Sequence, residues 1–475
     1  MADLLRAHLS RLALRVVRRP SLLHMPSLSL RTSFARNTVR MTLGQGLRLV
    51  IQAFYFVEMA RSLGVRNYGA FISVVAVVGI VYPFASLGGG NLLVKNVARQ
   101  PSSFAAYWGR ALTVTLAFGT VLLLLVLALT GFVLPREIPW TLVLLIAASD
   151  IFGLNIITQA SQAFQAFEHL HWTAAINVMM SGGRLAGALI LVAIHPHPSS
   201  LQWGYIYFGC TTVVTVISLL LVLIKLGGPR LDRDTFRSEM REGFFFSASQ
   251  TSQTVYNDID KTMLARLSTL DATGIYGAAY RIIDVSFVPV SAMLWSAYPS
   301  FFRAGMRGIS ASLQYAKPLL LKALGYSGIV CAILLISSGI VPYILGPEYR
   351  ATAEALRWLA VLPILKAMHY FLSDTLTSAG YQAVRTGIQA SVAVFNVLLN
   401  LWIIPAYSWR GAAWSSIASD GALVCGVGAA VFVLSRRLAV SNGESASLAV
   451  PANHQKVPGE LIVGSSLSGE SLPAE

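Results

Sequence analysis

The sequence predicts an all-α polytopic membrane protein, about twelve transmembrane helices in two parallel six-helix lobes around a central cavity. Three observations lead there. Hydrophobic residues make up 55% of the chain and charged residues only 12%, about half the charged share of a soluble domain. Apolar runs recur along most of the chain, each near the ~20 residues that a helix needs to cross a bilayer. One polar run near the start also returns, in similar form, roughly 200 residues later.

In order, the runs lie near 41–59, 68–93, 111–134, 138–163, 172–194 and 202–226, then 243–267, 272–302, 318–345, 352–378, 384–404 and 411–434. The first and seventh are the most polar. The second ends in Ser86-Leu-Gly-Gly-Gly-Asn91. No Gly-Lys-Ser/Thr follows, so this is no phosphate loop, and its glycines suit a bend or close helix packing. His195-Pro-His-Pro198 joins the fifth and sixth runs and has no further metal ligand nearby. Cys210, Cys331 and Cys425 fall inside apolar runs, where they read as small packing residues without disulfide or metal spacing.

The connections are short, and none on the outer side is long enough to fold as a domain. The net charge of +15 fits cationic cytoplasmic loops, and no recognition motif points to nucleic acid. With the N-terminus cytoplasmic, roughly 24 Lys and Arg fall in inside segments against 7 outside. Both termini are therefore expected in the cytoplasm, with the protein in the cell inner membrane. Residues 1–36 read as a basic cytoplasmic arm on the anionic inner leaflet. Their Arg- and Ser-rich composition also fits a transit peptide, and Met41 offers an alternative start. The remaining divisions are 37–226 and 243–437, six helices each, a cytoplasmic linker at 227–242, and a tail at 438–475. From Asn442 that tail is rich in Ser, Gly and Glu, a composition that favours disorder.

The repeat sits at equivalent span ends. The first span closes with Ala60-Arg-Ser-Leu-Gly and is followed by Tyr68-Gly-Ala-Phe. The seventh closes with Ala265-Arg-Leu-Ser-Thr and is followed by Ile275-Tyr-Gly-Ala-Ala. Six spans per half give both halves one orientation, with a binding site near the midplane between them.

Helical spacing gives the two polar spans one wet face each. Ser247, Thr251, Thr254, Asp258 and Lys261 recur at three and four residues, with Asp258 and Lys261 as neighbours. The first span repeats the device with Gln45, Arg48, Gln52, Tyr55 and Glu58. A charge at mid-bilayer costs several kcal/mol unless it pairs or meets water, so both stripes are expected to line the cavity. Asp150, Arg184, Arg281, Asp284, Lys366, Asp374 and Asp420 are further charges within spans. Arg281 and Asp284 are spaced for a local pair, and Asp374 for an interfacial position.

Met59 to Phe71 (MARSLGVRNYGAF), Asp260 to Ile282 (DKTMLARLSTLDATGIYGAAYRI) and Ile403 to Ser416 (IIPAYSWRGAAWSS) resemble segments of the polysaccharide export proteins. The family is the Wzx-type O-antigen, or lipid-linked oligosaccharide, flippases of the MATE-like MOP exporter superfamily. The resemblance covers about 37–434. It implies two six-helix lobes in a V around a hydrophilic cavity, and alternating access. The implied cargo is a polyprenyl-diphosphate-linked oligosaccharide carried from inner to outer leaflet for O-antigen, capsule or exopolysaccharide assembly. Membrane lipids, a polysaccharide polymerase and glycosyltransferases are the implied partners.

An anionic diphosphate needs positive charge in the lumen, and the arginine fork suits phosphate. The substrate-cavity candidates are thus Arg48, Gln52, Arg184, Asp258, Asp260, Lys261 and Arg281. Arg48 and Arg184 have no acid within one turn on the inward side. Asp258 and Asp260 carry either coupling protons or, as the favoured reading, a salt bridge to Lys261. No cofactor, metal site or catalytic triad is expected, so the chain does not read as an enzyme. Two alternatives stay open: an ion-coupled MATE-like exporter of small cations, and a non-transporting scaffold of a glycan-assembly complex.

Overall fold

The computed structural model describes residues 28–230 and 236–447. The start of the basic arm, residues 231–235 of the linker and the tail from 448 lie outside the described residues. Among these, every regular element is a helix. This follows from the bilayer, where an unpaired backbone amide costs several kcal/mol and a helix pairs its own.

The chain opens with α1 (Leu28–Ser86), which is broken at Gly64, φ 70°. The rings of Phe56 and Tyr68 lie 6.0 Å apart, whereas twelve residues of unbroken helix would separate them by ~18 Å. α1 is therefore two antiparallel arms. At Leu87 and Gly88 φ is positive, and the chain bends into the short α2 (Gly89–Val97). Next come α3 (Phe104–Val133) and α4 (Trp140–Ala148), then a π turn over Ser149–Leu154 that leads into α5 (Asn155–Ala166). α6 (Leu170–Ile194) and α7 (Ser200–Lys225) complete the first half.

The second half starts with α8 (Phe236–Leu267), α9 (Leu270–Gly305), α10 (Ile309–Ser337) and the one-turn α11 (Val341–Leu345). α12 (Arg350–Leu359) and α13 (Leu362–Ser378) meet at a 43° bend. Last is α14 (Gln382–Ser447), broken at Ser408. Asn396 donates to Ser419 Oγ at 2.9 Å, against ~34 Å along a straight helix, so α14 is a second hairpin. It runs to Ser447, ten residues into the stretch at 438–475 read as tail.

Among the described residues, eight helices are long and apolar enough to span a membrane. Two of these are the hairpins α1 and α14, each worth two spans. The bent α12–α13 pair and the more polar α8 bring the total to the expected twelve. The run at 352–378 is thus two helices rather than one.

The halves touch at both ends. A Cβ on Gly69 would fall 1.9 Å from the Leu270 carbonyl oxygen, and one on Gly274 would fall 2.1 Å from that of Val65. The second arm of α1 and α9 therefore cross backbone to backbone. Gly277, from the second copy of the Tyr-Gly repeat, faces Ile72 in the same crossing. Here also Tyr349 Oη donates to the Ala60 carbonyl at 2.8 Å, and the Val65 amide to Glu348 at 3.2 Å. At the other end, which carries the basic loops, Gly243 lies against the Leu87 carbonyl. Phe84 and Phe244 pack 5.7 Å apart there. Ser247 and Thr251 donate to the carbonyls of Pro83 and Ile80 at 2.7 and 3.1 Å.

A charged cavity between the halves

Between these two contact zones lies a cavity of about 390 Å³. The first arm of α1 brings Tyr55 to it, α6 Arg184 and α7 Tyr207. From the second half come Asp258 and Lys261 on α8, and Arg281 and Asp284 on α9.

Each wall holds its charge differently. In the first half the guanidinium of Arg184 stacks on Tyr207, 3.9 Å from the ring centroid. Its Nη2 lies 3.2 Å from Asp150 Oδ1, and Tyr207 Oη donates to the same oxygen at 2.8 Å. The π turn carries Asp150 into this position. Such turns interrupt the α register and often mark functional sites. The Nε of Arg184 is buried and has no partner among the described residues.

In the second half Lys261 pairs with Asp258, as the helical spacing predicts. Its Nζ also sits 4.5 Å from the centroid of the Tyr280 ring, as does that of Lys366. Lys366 reaches across from α13 to Asp284 at 3.5 Å. The local Arg281–Asp284 pair does not form, because Asp284 is held by Lys366.

Arg281 and Arg48 are left. Neither has an ion-pair partner among the described residues. Arg48 lies within the repulsive field of Arg281 and Arg184. Arg184, Lys261 and Arg281 line the cavity with Asp258 and Asp284. With Arg48, Lys366 and Asp150, which interact with these residues from outside the lining, the cluster holds five cations and three carboxylates, an excess of two positive charges. Bringing like charges together in a poorly solvated place is unfavourable unless an anion joins them.

Three candidates lie outside the lining: Arg48, Gln52 and Asp260. Asp260, only 3% exposed, turns away from the cavity. It accepts from Tyr276 Oη, from Ser416 Oγ at 3.2 Å and from the Lys261 amide at 2.8 Å. Adjacent helix positions two apart point in divergent directions, so Asp258 and Asp260 cannot share the wet face. Gln52 is half-buried and outside the cavity lining. Ser247 and Thr251 close the basic end instead of facing the lumen. Tyr280 and Tyr207 were not among the candidates. Tyr276, Tyr280 and Asp284 recur every four residues along α9, which is the signal that marks them. Asp374 pairs with Arg385 at 3.2 Å.

A second, larger recess of about 960 Å³ opens at the end away from the basic loops, with Glu58, Arg61, Arg66, Asp271 and Glu348 in its wall.

A helical bundle of this build, with a charged cavity between halves that meet at either end, has the architecture of a multi-pass membrane transporter. The chain belongs to the polysaccharide biosynthesis protein family, which matches residues 34–304. Solved structures agree on the fold. An inward-facing multidrug resistance MATE family transporter of the MOP superfamily superposes with a TM-score of 0.68 at 15% identity, over 83% of this chain and 99% of that one. The lipid II flippase MurJ, in an inward closed conformation, gives 0.64 at 10% identity, over 82% and 86%. A MOP superfamily transporter from Pyrococcus furiosus, described as having a binding pocket of reverse polarity, gives 0.60 at 15% identity, over 84% and 96%. No curated protein is detectably similar in sequence.

Proposed function

We propose that this protein flips a polyprenyl-diphosphate-linked oligosaccharide from the inner to the outer leaflet of the cell inner membrane, for O-antigen, capsule or exopolysaccharide assembly. Both termini and the basic loops face the cytoplasm in this reading. Residues 37–226 and 243–437 are the two lobes that rock about the cavity.

One observation carries the proposal: Arg281, which lines the cavity, and Arg48, outside the lining but within the field of Arg281 and Arg184, have no ion-pair partner among the described residues. A diphosphate of roughly two negative charges matches the excess, and guanidinium forks bind phosphate oxygens in pairs. The same excess repels small organic cations, which argues against a MATE-like drug exporter. The cavity of about 390 Å³ is at the small end for a ligand pocket. It suits the diphosphate and the first sugar, and the lobes must separate to pass a longer glycan.

The test is a deletion strain. Polyprenyl-linked glycan should accumulate on the cytoplasmic leaflet while surface polysaccharide falls. Normal surface glycan, or glycan lost before it is assembled on the lipid, would exclude the flippase reading.

A further inference from the structure

Helix α13 carries Lys366, His369, Tyr370, Ser373 and Asp374 at three- and four-residue spacing. At one end Lys366 meets Asp284 in the central cavity. At the other, Asp374 and Arg385 line a separate cavity of about 410 Å³. Between the two cavities His369 Nε2 lies 3.3 Å from Asp420 Oδ1, both side chains 2% exposed. Asp420 Oδ1 accepts no well-formed hydrogen bond among the described residues.

A buried carboxylate without donors is unfavourable by several kcal/mol unless it takes up a proton or sits beside a cation. Imidazole is the side chain that exchanges those two conditions near neutral pH. Among the described residues no group of three or more His, Cys, Asp or Glu side chains that could hold a metal ion surrounds the pair. Asn396 is spent on Ser419 at 2.9 Å and on Asn400 at 3.0 Å. A proton needs no such shell.

We propose that His369 and Asp420 form a proton-binding site linked to the charge of the central cavity. One proton is taken up on a carboxyl oxygen of Asp420, beside the imidazole, and the pair gains one positive charge. The groups that face it are these. Lys366 and Arg385 bring positive fields, each partnered in turn by Asp284 and Asp374. The ring of Tyr370 packs 4.5 Å from the imidazole. Asp260 lies one turn from Asp420 through Ser416 and is held by Tyr276. An anion in the cavity offsets the charge of Lys366, one turn from His369, and so favours proton uptake. By reciprocity, proton uptake strengthens anion binding. The linkage, though not the proton site, rests on the cavity being an anion site.

The experiment uses the full chain purified in detergent. Infrared difference spectra across a step from about pH 8 to about pH 5, the range in which histidine titrates, report carboxyl protonation directly. The wild type should show a carboxyl band that is absent in Asp420→Asn and displaced in His369→Gln. No band in the wild type, or one that survives Asp420→Asn, would overturn the proton site. So would a change in the carboxylate stretches of Asp420 on adding NaCl at constant pH with no protonated-carboxyl band at low pH, which would indicate a sodium site. Calorimetry with inorganic pyrophosphate tests the linkage. The wild type should gain about tenfold more affinity over that step than Asp420→Asn, whose curve removes pyrophosphate's own titration; this equals about 1.4 kcal/mol of coupling. Equal gains overturn the linkage. Pyrophosphate that binds at neither pH, with the band intact, overturns the cavity reading and supports the proton site.

Discussion

Among the described residues, Arg48 and Arg281 differ from Arg184, Lys261 and Lys366 in having no ion-pair partner, so their replacement should act on cargo rather than on folding. Arg48→Glu and Arg281→Glu are expected to abolish export at normal membrane levels of protein, and Arg48→Lys to retain part of it, since charge is kept and the fork is lost. Surface polysaccharide and membrane protein, measured together, check this. Arg184 should behave otherwise. Arg184→Gln leaves Asp150 buried and unpaired, a loss of about 3 kcal/mol. Melting of the detergent-solubilised protein should drop, and the double change with Asp150→Asn should recover most of it. Much of this was legible beforehand. The stripes of α1 and α8 single out Arg48 and Lys261, because a polar face on an apolar helix has to meet something wet. The partners were not legible: Asp150 and Arg184 are 34 residues apart, and no local spacing encodes a contact across helices. The inclusion of Asp260 arose from proximity in sequence, which on a helix separates directions instead of joining them.

Among the helices, the glycines of the repeat have the clearest consequence. Gly69→Val or Gly274→Val would push a side chain into a backbone carbonyl, where no flexible atom can yield. The second arm of α1 and α9 should be forced apart, and the melting temperature should fall by several degrees, consistent with an overpacking cost of about 1–3 kcal/mol. Gly46, with open space around its Cβ, is the control, and Gly46→Val should change little. Hydropathy captured nearly all of the spans. It could not foresee the bend between α12 and α13 or the π turn, since both alter the path of a helix without altering how apolar it is. The polarity of α8, which weakens it as a span on its own, is explained by its neighbours: the second arm of α1 supplies carbonyls for Ser247 and Thr251.

For the molecule as a whole, the two contact zones predict an order of events. If the lobes rock, the zone at Phe84 and Phe244 must open while the zone at Val65 and Glu348 stays shut, and then the reverse. In a background without Cys210, Cys331 and Cys425, Phe84→Cys with Phe244→Cys should cross-link through a short bifunctional reagent. Export should stop on cross-linking and return when a cleavable linker is cut. Full activity in the cross-linked protein would argue against movement at that zone. Topology gives a second check. Tags placed next to Arg230 and after Ser447 should both be cytoplasmic, and one at His197 outside. Tags at the first two on opposite faces would exclude six spans per half.

The π turn beneath Asp150 has a consequence for descent as well as for charge. Over Ser149–Leu154 each amide reaches back five residues instead of four, so the helix holds one residue more than its length requires. That is the mark of an inserted residue. A family member one residue shorter between Trp140 and Ala166 would carry a plain α-helix there. Its counterpart of Asp150 would point about 100° away, and its cavity arginine would have to be held by another acid or by none. A single gap in an alignment would then separate members that share this cavity from members that do not.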